Sequence, residues 1–276
     1  MNYAELYEAA KTPGEALDRL DKILVVLRGE NGCPWDKEQT HESIRGCMLE
    51  EAYEVVDAIQ EKNWDNLEEE LGDVALQVVF HSGLASDAGK FDLTSVINRE
   101  CEKMIRRHPH VFNENQDDFE NNSLETVDKV LEKWENVKRK EKSGTQTDSM
   151  LQIPKALPAL IRGYKVQKKA AEVGFDWDDV SGAFDKVKEE TEELLEICQS
   201  GDKDRIKEEV GDLLFAVVNV ARFLRVDPEE ALNFTSEKFI RRFQYVESTA
   251  TQQGKRLEEM SLEEMDMLWD AAKSEE

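Results

Sequence analysis

Proline and glycine are scarce in this chain, 6 and 14 of 276 residues. That removes the turn chemistry a protein of many short strands depends on. Cysteine is nearly as sparse. Cys33, Cys47, Cys101 and Cys198 show neither CxxC nor zinc-ribbon spacing, which excludes those sites and reads as four reduced thiols filling core positions. No apolar run reaches the roughly 18 residues a membrane span needs, and no basic segment followed by an apolar one opens the chain. A protein without a membrane segment, located in the cytoplasm, is the expectation. Positive charge is also short, with 36 Lys and Arg against 61 Asp and Glu and a net charge of −25. Such a balance excludes a sequence-independent grip on a nucleic-acid polymer. It leaves open a small phosphate-bearing molecule held through metal ions and a few local cations.

What the chain does have is helical periodicity. Leu17, Leu20, Ile23, Leu24 and Leu27 form one stripe over residues 14–28, as an amphipathic helix requires. A loop over 29–39 follows, then helices at about 41–61, 64–86 and 92–107, the last stopped by Pro109. In the helix 64–86, Leu67, Leu71, Val74, Ala75, Val78 and Val79 are expected to face a core. A helix at about 123–141 runs into the polar segment Lys-Ser-Gly-Thr-Gln-Thr-Asp-Ser at 142–149, which reads as a linker. Beyond it the pattern restarts, with helices at about 155–172, 180–199, 202–224, 228–247 and 261–273. Asp227 followed by Pro228 is a strong helix start. The expected fold is all-α, in two domains of ordinary size, residues 1–141 and 154–276 joined by a linker at 142–153.

The two halves repeat one another. Residues 50–80 align without a gap with residues 189–219, and after a register change of four residues Asn98, Lys103, Arg106 and Arg107 match Asn233, Lys238, Arg241 and Arg242. A duplicated helical domain explains this simply. Within the repeat lie two acidic words. Glu50-Glu51-x-x-Glu54 is followed sixteen residues after Glu54 by Glu70-Leu71-Gly72-Asp73, and Glu189-Glu190-x-x-Glu193 is followed in the same way by Glu209-Val210-Gly211-Asp212. On helices, Glu51 with Glu54, Glu70 with Asp73, Glu190 with Glu193 and Glu209 with Asp212 each project from one face. A lone Glu-x-x-Glu is ordinarily a solvated face; its recurrence at matched spacing argues for a function. Facing acid pairs repel and favour a divalent cation, and hard oxygen donors suit Mg²⁺, with Mn²⁺ as a substitute, over zinc. Gly72 and Gly211, mid-helix despite a cost of roughly 1 kcal/mol against Ala, are expected to let a neighbouring helix approach.

Cations accompany the acids. Lys103 with Arg107, and Lys238 with Arg242, are four apart on shared faces, and Lys186 lies four before Glu190. Alone these read as surface ion pairs; beside a metal cluster they read as phosphate clamps. His41, His108 and His110 have no partners at metal-ligand spacing, and His108 and His110 read as helix-end packing. Trp35 and Trp177 precede the two acid helices and read as packing anchors, while Trp269 reads as either core or a platform for a base.

Taken together, the doubled acidic words, Gly-Cys-Pro-Trp-Asp at 32–36, Arg-Arg-His-Pro-His-Val-Phe at 106–112 and Lys-Phe-x-Arg-Arg-Phe at 238–243 resemble the MazG family of nucleoside triphosphate pyrophosphohydrolases. The resemblance spans all but the first dozen residues and the linker. It implies two four-helix-type modules, a homodimer with intertwined helices, and hydrolysis of NTP to NMP and pyrophosphate, a house-cleaning activity on the nucleotide pool. It also implies metal ligands at Glu190, Glu193, Glu209 and Asp212, triphosphate contacts at Lys186, Lys238 and Arg242, and Trp269 near the base. Glu189, beside the ligands, is a candidate for orienting the attacking water. In the first half, Glu51, Glu54, Glu70 and Asp73 keep the acids, with Lys103 and Arg107 as cations, but no counterpart of Trp269 is present. The resemblance also implies that the second half carries most of the activity. The rival readings are a non-catalytic helical module that binds nucleotide or metal and acts on a protein partner, and a pyrophosphatase narrow for one deoxynucleotide.

Overall fold

Helix-start chemistry recurs along the chain, and the helices begin where it stands. In a computed structural model describing residues 3–108, 111–112, 126–127, 129–130, 134 and 144–275, every regular element among those residues is helical. The chain divides into two units, Met1–Arg139 and Lys140–Glu276. The first contains α1 (Ala4–Tyr7), α2 (Pro13–Arg28), α3 (Pro34–Glu38), α4 (His41–Glu61), α5 (Trp64–Asp87) and α6 (Leu93–Arg107). The second contains α7 (Gln146–Leu151), α8 (Ala159–Ala171), α9 (Val180–Ile197), α10 (Lys203–Phe223), α11 (Pro228–Gln252), a 3₁₀ turn (Leu257–Glu259) and α12 (Leu262–Glu275). Thr12 caps α2 reciprocally with Glu15, and Asp92 caps α6 with Ser95. At α11, the Asp227 Oδ1 accepts from the backbone N–H groups of Glu229 and Glu230, as the Asp-Pro start predicts.

Several expectations need correction. Residues 142–149 are not only a linker, because Thr145 and Asp148 form a capping box that starts α7. The helix expected from 155 starts at Ala159 instead, after Pro158; a proline deeper in the helix would lack its N–H and disfavour the helical conformation before it. The region read as a loop before α4 contains the short α3. The helix expected at about 123–141 lies for the most part outside the described residues, as do Pro109 and His110.

In the first unit Leu24, Ile44, Val79 and Phe80 form a buried cluster, flanked by Leu17, Leu20, Leu27, Leu76, Leu84 and Leu93. The α2 stripe and α5 thus meet as their periodicity requires. Leu71, expected in the core, is 52% exposed. Short connections make α4 with α5, and α9 with α10, neighbouring pairs. Gly72 and Gly211 do not serve that approach. A Cβ at either would meet nothing within 4 Å, and the buried small residues of these helices are Ala58, Ser82, Ala85, Ala183 and Ala216. None of the four cysteines is buried, and Cys101 and Cys198 are exposed, so they do not fill the core.

Because both glycines sit in helix interiors facing open space, Gly211→Ala should stabilise the protein by roughly 0.5–1 kcal/mol. Urea unfolding followed by circular dichroism measures this; a loss of stability would mean that another surface packs on that face.

Candidate active site

Each helix pair brings its acids together. In the second unit, single oxygens of Glu190, Glu193 and Glu209 all lie within 4.8 Å of one another, and in the first unit Glu51, Glu70 and Asp73 do the same. Three of the four residues expected in each half thus form one group. The fourth stands beside it: Glu54 interacts directly with Glu51 and Glu70, and Asp212 lines the same cavity as Glu190.

Charge crowding is visible in the acids themselves. The Glu51 carboxyl is pushed above the usual carboxylate range by loss of solvation, then by Asp73 and Glu54. Glu70 is raised by loss of solvation and then by Glu54. Glu193 is raised by loss of solvation, then by Glu190 and Glu209, with Lys186 opposing. Carboxylates that face one another with only oxygen donors are a set that a hard divalent cation fits.

The two groups are not equivalent. Lys186 Nζ reaches Glu190 at 2.6 Å and Glu189 at 2.8 Å. These two acceptors hold its ammonium in the charged form. In the gapless alignment the matching position of the first unit is Cys47, so that acid group lacks this cation. A cavity of about 650 Å³ adjoins the second group, lined by Lys186, Glu190 and Asp212 together with Gln167, Asn219 and Trp177. That volume is in the range of small-molecule sites.

The remaining residues singled out in the sequence lie elsewhere. Lys238 stands 5.9 Å from the Phe234 ring, and the Arg242 guanidinium stands 5.8 Å from the Trp269 ring, which also packs on Phe239 with centroids 4.9 Å apart. Lys238, Arg242 and Trp269 are not among the residues lining the cavity. In the first unit Lys103 pairs with Glu100, and Arg107 lies over Trp134. Trp35 is 60% exposed and is no packing anchor, whereas Trp177 forms part of the cavity wall. His108 ends α6 and bonds the Met104 carbonyl, in keeping with helix-end packing. His41 instead stacks on His81, with ring nitrogens 2.8 Å apart.

Sequence reasoning missed an ion pair in the cavity wall. Arg222 grips Asp176 with two hydrogen bonds, of 2.9 and 2.5 Å. This pair ties the loop before α9 to α10. A signal for that loop was present, since Gly174-x-x-Trp177-Asp178 repeats Gly32-x-x-Trp35-Asp36.

A duplicated all-α module with a cluster of carboxylates that could hold a cation in each copy defines the class of protein. Comparison with known proteins gives the family. The MazG nucleotide pyrophosphohydrolase domain matches the chain twice, over residues 39–112 and 181–247. A protein of Thermotoga maritima named nucleoside triphosphate pyrophosphohydrolase/pyrophosphatase MazG is 41% identical over 95% of this chain and 98% of its own length. An Escherichia coli protein named nucleoside triphosphate pyrophosphohydrolase is 43% identical over 94% of this chain and 98% of its own. The Bacillus subtilis protein YabN, called uncharacterized, is 49% identical over 92% of this chain, which spans 51% of that longer protein. The chain belongs to the MazG nucleotide pyrophosphohydrolase family, a family of hydrolases.

The raised carboxyls carry a pH signature. A carboxylate whose pKa is higher folded than unfolded destabilises the fold once it ionises, so that the penalty grows as pH rises above about 4.3 and persists at neutrality. Glu70→Gln should therefore melt a few degrees higher than the parent at pH 7 in EDTA, and the difference should shrink toward pH 4. Thermal scans at the two pH values check this; a variant no more stable than the parent at pH 7 contradicts the crowding described above.

Proposed function

We propose that the chain hydrolyses nucleoside triphosphates, NTP or dNTP, to the monophosphate and pyrophosphate with Mg²⁺, that Mn²⁺ can substitute, and that the second unit carries most of the activity. The observation supporting this most directly is the joining of an acid group, Lys186 and a ligand-sized cavity in one unit. Family membership and the names of the relatives from Thermotoga maritima and Escherichia coli support the reaction class.

Glu190, Glu193, Glu209 and Asp212 are the residues to hold the cation. Bound there, Mg²⁺ supplies positive charge to the triphosphate oxygens and acidifies a water. Lys186 keeps Glu190 oriented and adds charge where phosphate oxygens arrive. Glu189, paired with the same lysine, is the carboxylate placed to accept a proton from the attacking water. Lys238 and Arg242, four apart on α11, serve as further phosphate contacts, and Trp269 stands with Arg242 on the side where a nucleoside lies. Glu51, Glu54, Glu70 and Asp73 hold a second cation, with Lys103 and Arg107 as its phosphate contacts. The absence of a lysine at Cys47 supports a lesser catalytic share for that unit.

A homodimer is part of the proposal. Leu49, Tyr53 and Val56 form an exposed apolar stripe on α4, as do Val210, Leu214 and Val217 on α10, and stripes of that kind are ordinarily covered. The assembly acts in the cytoplasm, clearing unwanted nucleotides, with no membrane or nucleic-acid polymer as partner. No described helix is long and apolar enough to cross a membrane.

Incubating the protein with an NTP and dNTP panel, with Mg²⁺ or EDTA, should give NMP and pyrophosphate only with the metal. NDP and orthophosphate would overturn the reaction. Glu193→Gln should lower kcat at least about a hundredfold, the scale on which removing an electrostatic stabiliser acts, while leaving the helical circular dichroism unchanged. Glu209→Ala with Asp212→Ala should cost more activity than Glu70→Ala with Asp73→Ala; equal losses in the same assay would make the two units equivalent.

A further inference from the structure

The first unit holds a titratable pair that its acid group does not use. His41 is the first residue of α4, and His81 lies within α5. Their ring planes are 5° apart, their centroids 5.0 Å apart and their Nδ1 atoms 2.8 Å apart, so the two rings meet through nitrogen. Two ring nitrogens at that distance need one proton between them, because one must donate and the other accept. His41 is exposed and His81 half-buried. Burial, and then the His41 ring, hold the His81 imidazole below the usual histidine range.

Only some protonation states keep this bond. With both rings neutral, the Nδ1–H of one meets the bare Nδ1 of the other. A first added proton goes to an outer Nε2, and the bond survives in charge-assisted form. A second leaves two Nδ1–H donors facing each other on two positive rings, and nothing accepts. The free N–H groups at the start of α4 add to that positive potential.

The surrounding charges are few. Within one turn of His81, over residues 77–85, α5 carries no charged side chain, and within one turn of His41, α4 carries Glu42 and Arg45. Glu38 ends α3 three residues before His41. From α2, Arg28 lies over the Phe80 ring and pairs with Asp87. From α6, Lys103 pairs with Glu100. The titratable group that acts on His81 is His41.

The second unit has no titratable residue at these positions. In the register of the repeat, His41 matches Val180, the first residue of α9, and His81 matches Val220 of α10; both valines are half-buried.

We propose that His41 and His81 form a proton-operated latch confined to the first unit: closed while the pair carries at most one added proton, it opens when both rings are charged and releases the first turn of α4 from α5. Glu51, Glu70 and Asp73 lie further along the same helix pair, so the latch governs the end of the pair and not the acid group itself. Acidification loosens one copy and spares the other. His81 binds a proton less readily folded than unfolded. The closed form is therefore favoured above about pH 6.5 and loses ground as pH falls below it, by up to about tenfold per pH unit for each extra proton the open form takes up. The raised carboxyls of Glu51 and Glu70 act in the opposite direction.

Amide hydrogen exchange on the whole chain, compared at about pH 7.5 and about pH 5 as protection factors, tests the latch. Protection over residues 42–47 should fall about tenfold or more, while that over 181–186 holds. His41→Val with His81→Val gives the first unit the residues of the second and leaves its carboxylates in place, so it should abolish the fall. No fall in the unaltered protein, an equal fall in both units, or a fall that persists in the valine variant would overturn the latch. If that variant fails to fold, NMR titration of the histidine rings in the unaltered protein decides. His41 and His81 should titrate as a coupled pair in two steps, the second below the ordinary histidine value; two independent, ordinary titrations would overturn the proposal.

Discussion

Packing one acidic helix against another forces carboxylates within 4.8 Å of each other, and the rest of the site answers that repulsion. Uncompensated, the crowding raises the affinity of the acids for protons, as Glu51, Glu70 and Glu193 show. Three responses are possible: protonation, a nearby ammonium, or a divalent cation. The second unit already uses one of them, since Lys186 sits on Glu190. The helix pairs hold the acids in place because α4 with α5 and α9 with α10 are the main packing partners of their units. The helices that carry the acids cannot separate without undoing hydrophobic contacts that the fold requires.

Duplication explains why the same arrangement occurs twice, and divergence shows where the copies part. The acid positions match residue for residue. Their surroundings do not. Lys186 becomes Cys47, Asn219 becomes Phe80 and Arg222 becomes Gly83. In the first unit Phe80 enlarges the core beside Leu24 and Val79, and Arg28 from α2 occupies space near Gly83. In the second, the same region is a cavity walled by an ion pair and two amides. A filled region favours stability and an open one favours binding, so the divergence is a division between those ends.

What the sequence made legible follows from periodicity. Acids at i,i+3 on an amphipathic helix must share a face, so the two acid groups were readable before any coordinates. The helix starts at Pro13, His41, Trp64, Val180 and Pro228 follow from caps and apolar spacing to within a residue. Leu71 and Gly72 were misread because both halves show an apolar residue and a glycine at these places, and spacing alone does not say whether such a face meets a helix or stays open. Gln167, Asn219 and Arg222 were invisible for another reason. A single polar residue on a helix is normally solvated, and nothing in one helix reveals that it is buried. The contrast between the copies does reveal it: a polar residue aligned with a buried aromatic is a polar residue in a core position.

That contrast also bears on the cations of α11. Lys238 and Arg242 recur as Lys103 and Arg107, and their neighbours include aromatic rings and, for Lys103, a carboxylate on the same helix. Long cationic side chains on flexible stems can swing several ångströms at little cost while their stems stay packed on aromatics. Glu and Asp side chains are shorter, so the paired helices confine where their carboxylates reach. In the proposed function, acids on packed helices supply the negative half and long cationic side chains on aromatic faces supply the positive half. On that reading, a polyanion brought by metal to the acids gives those long side chains a partner within their reach.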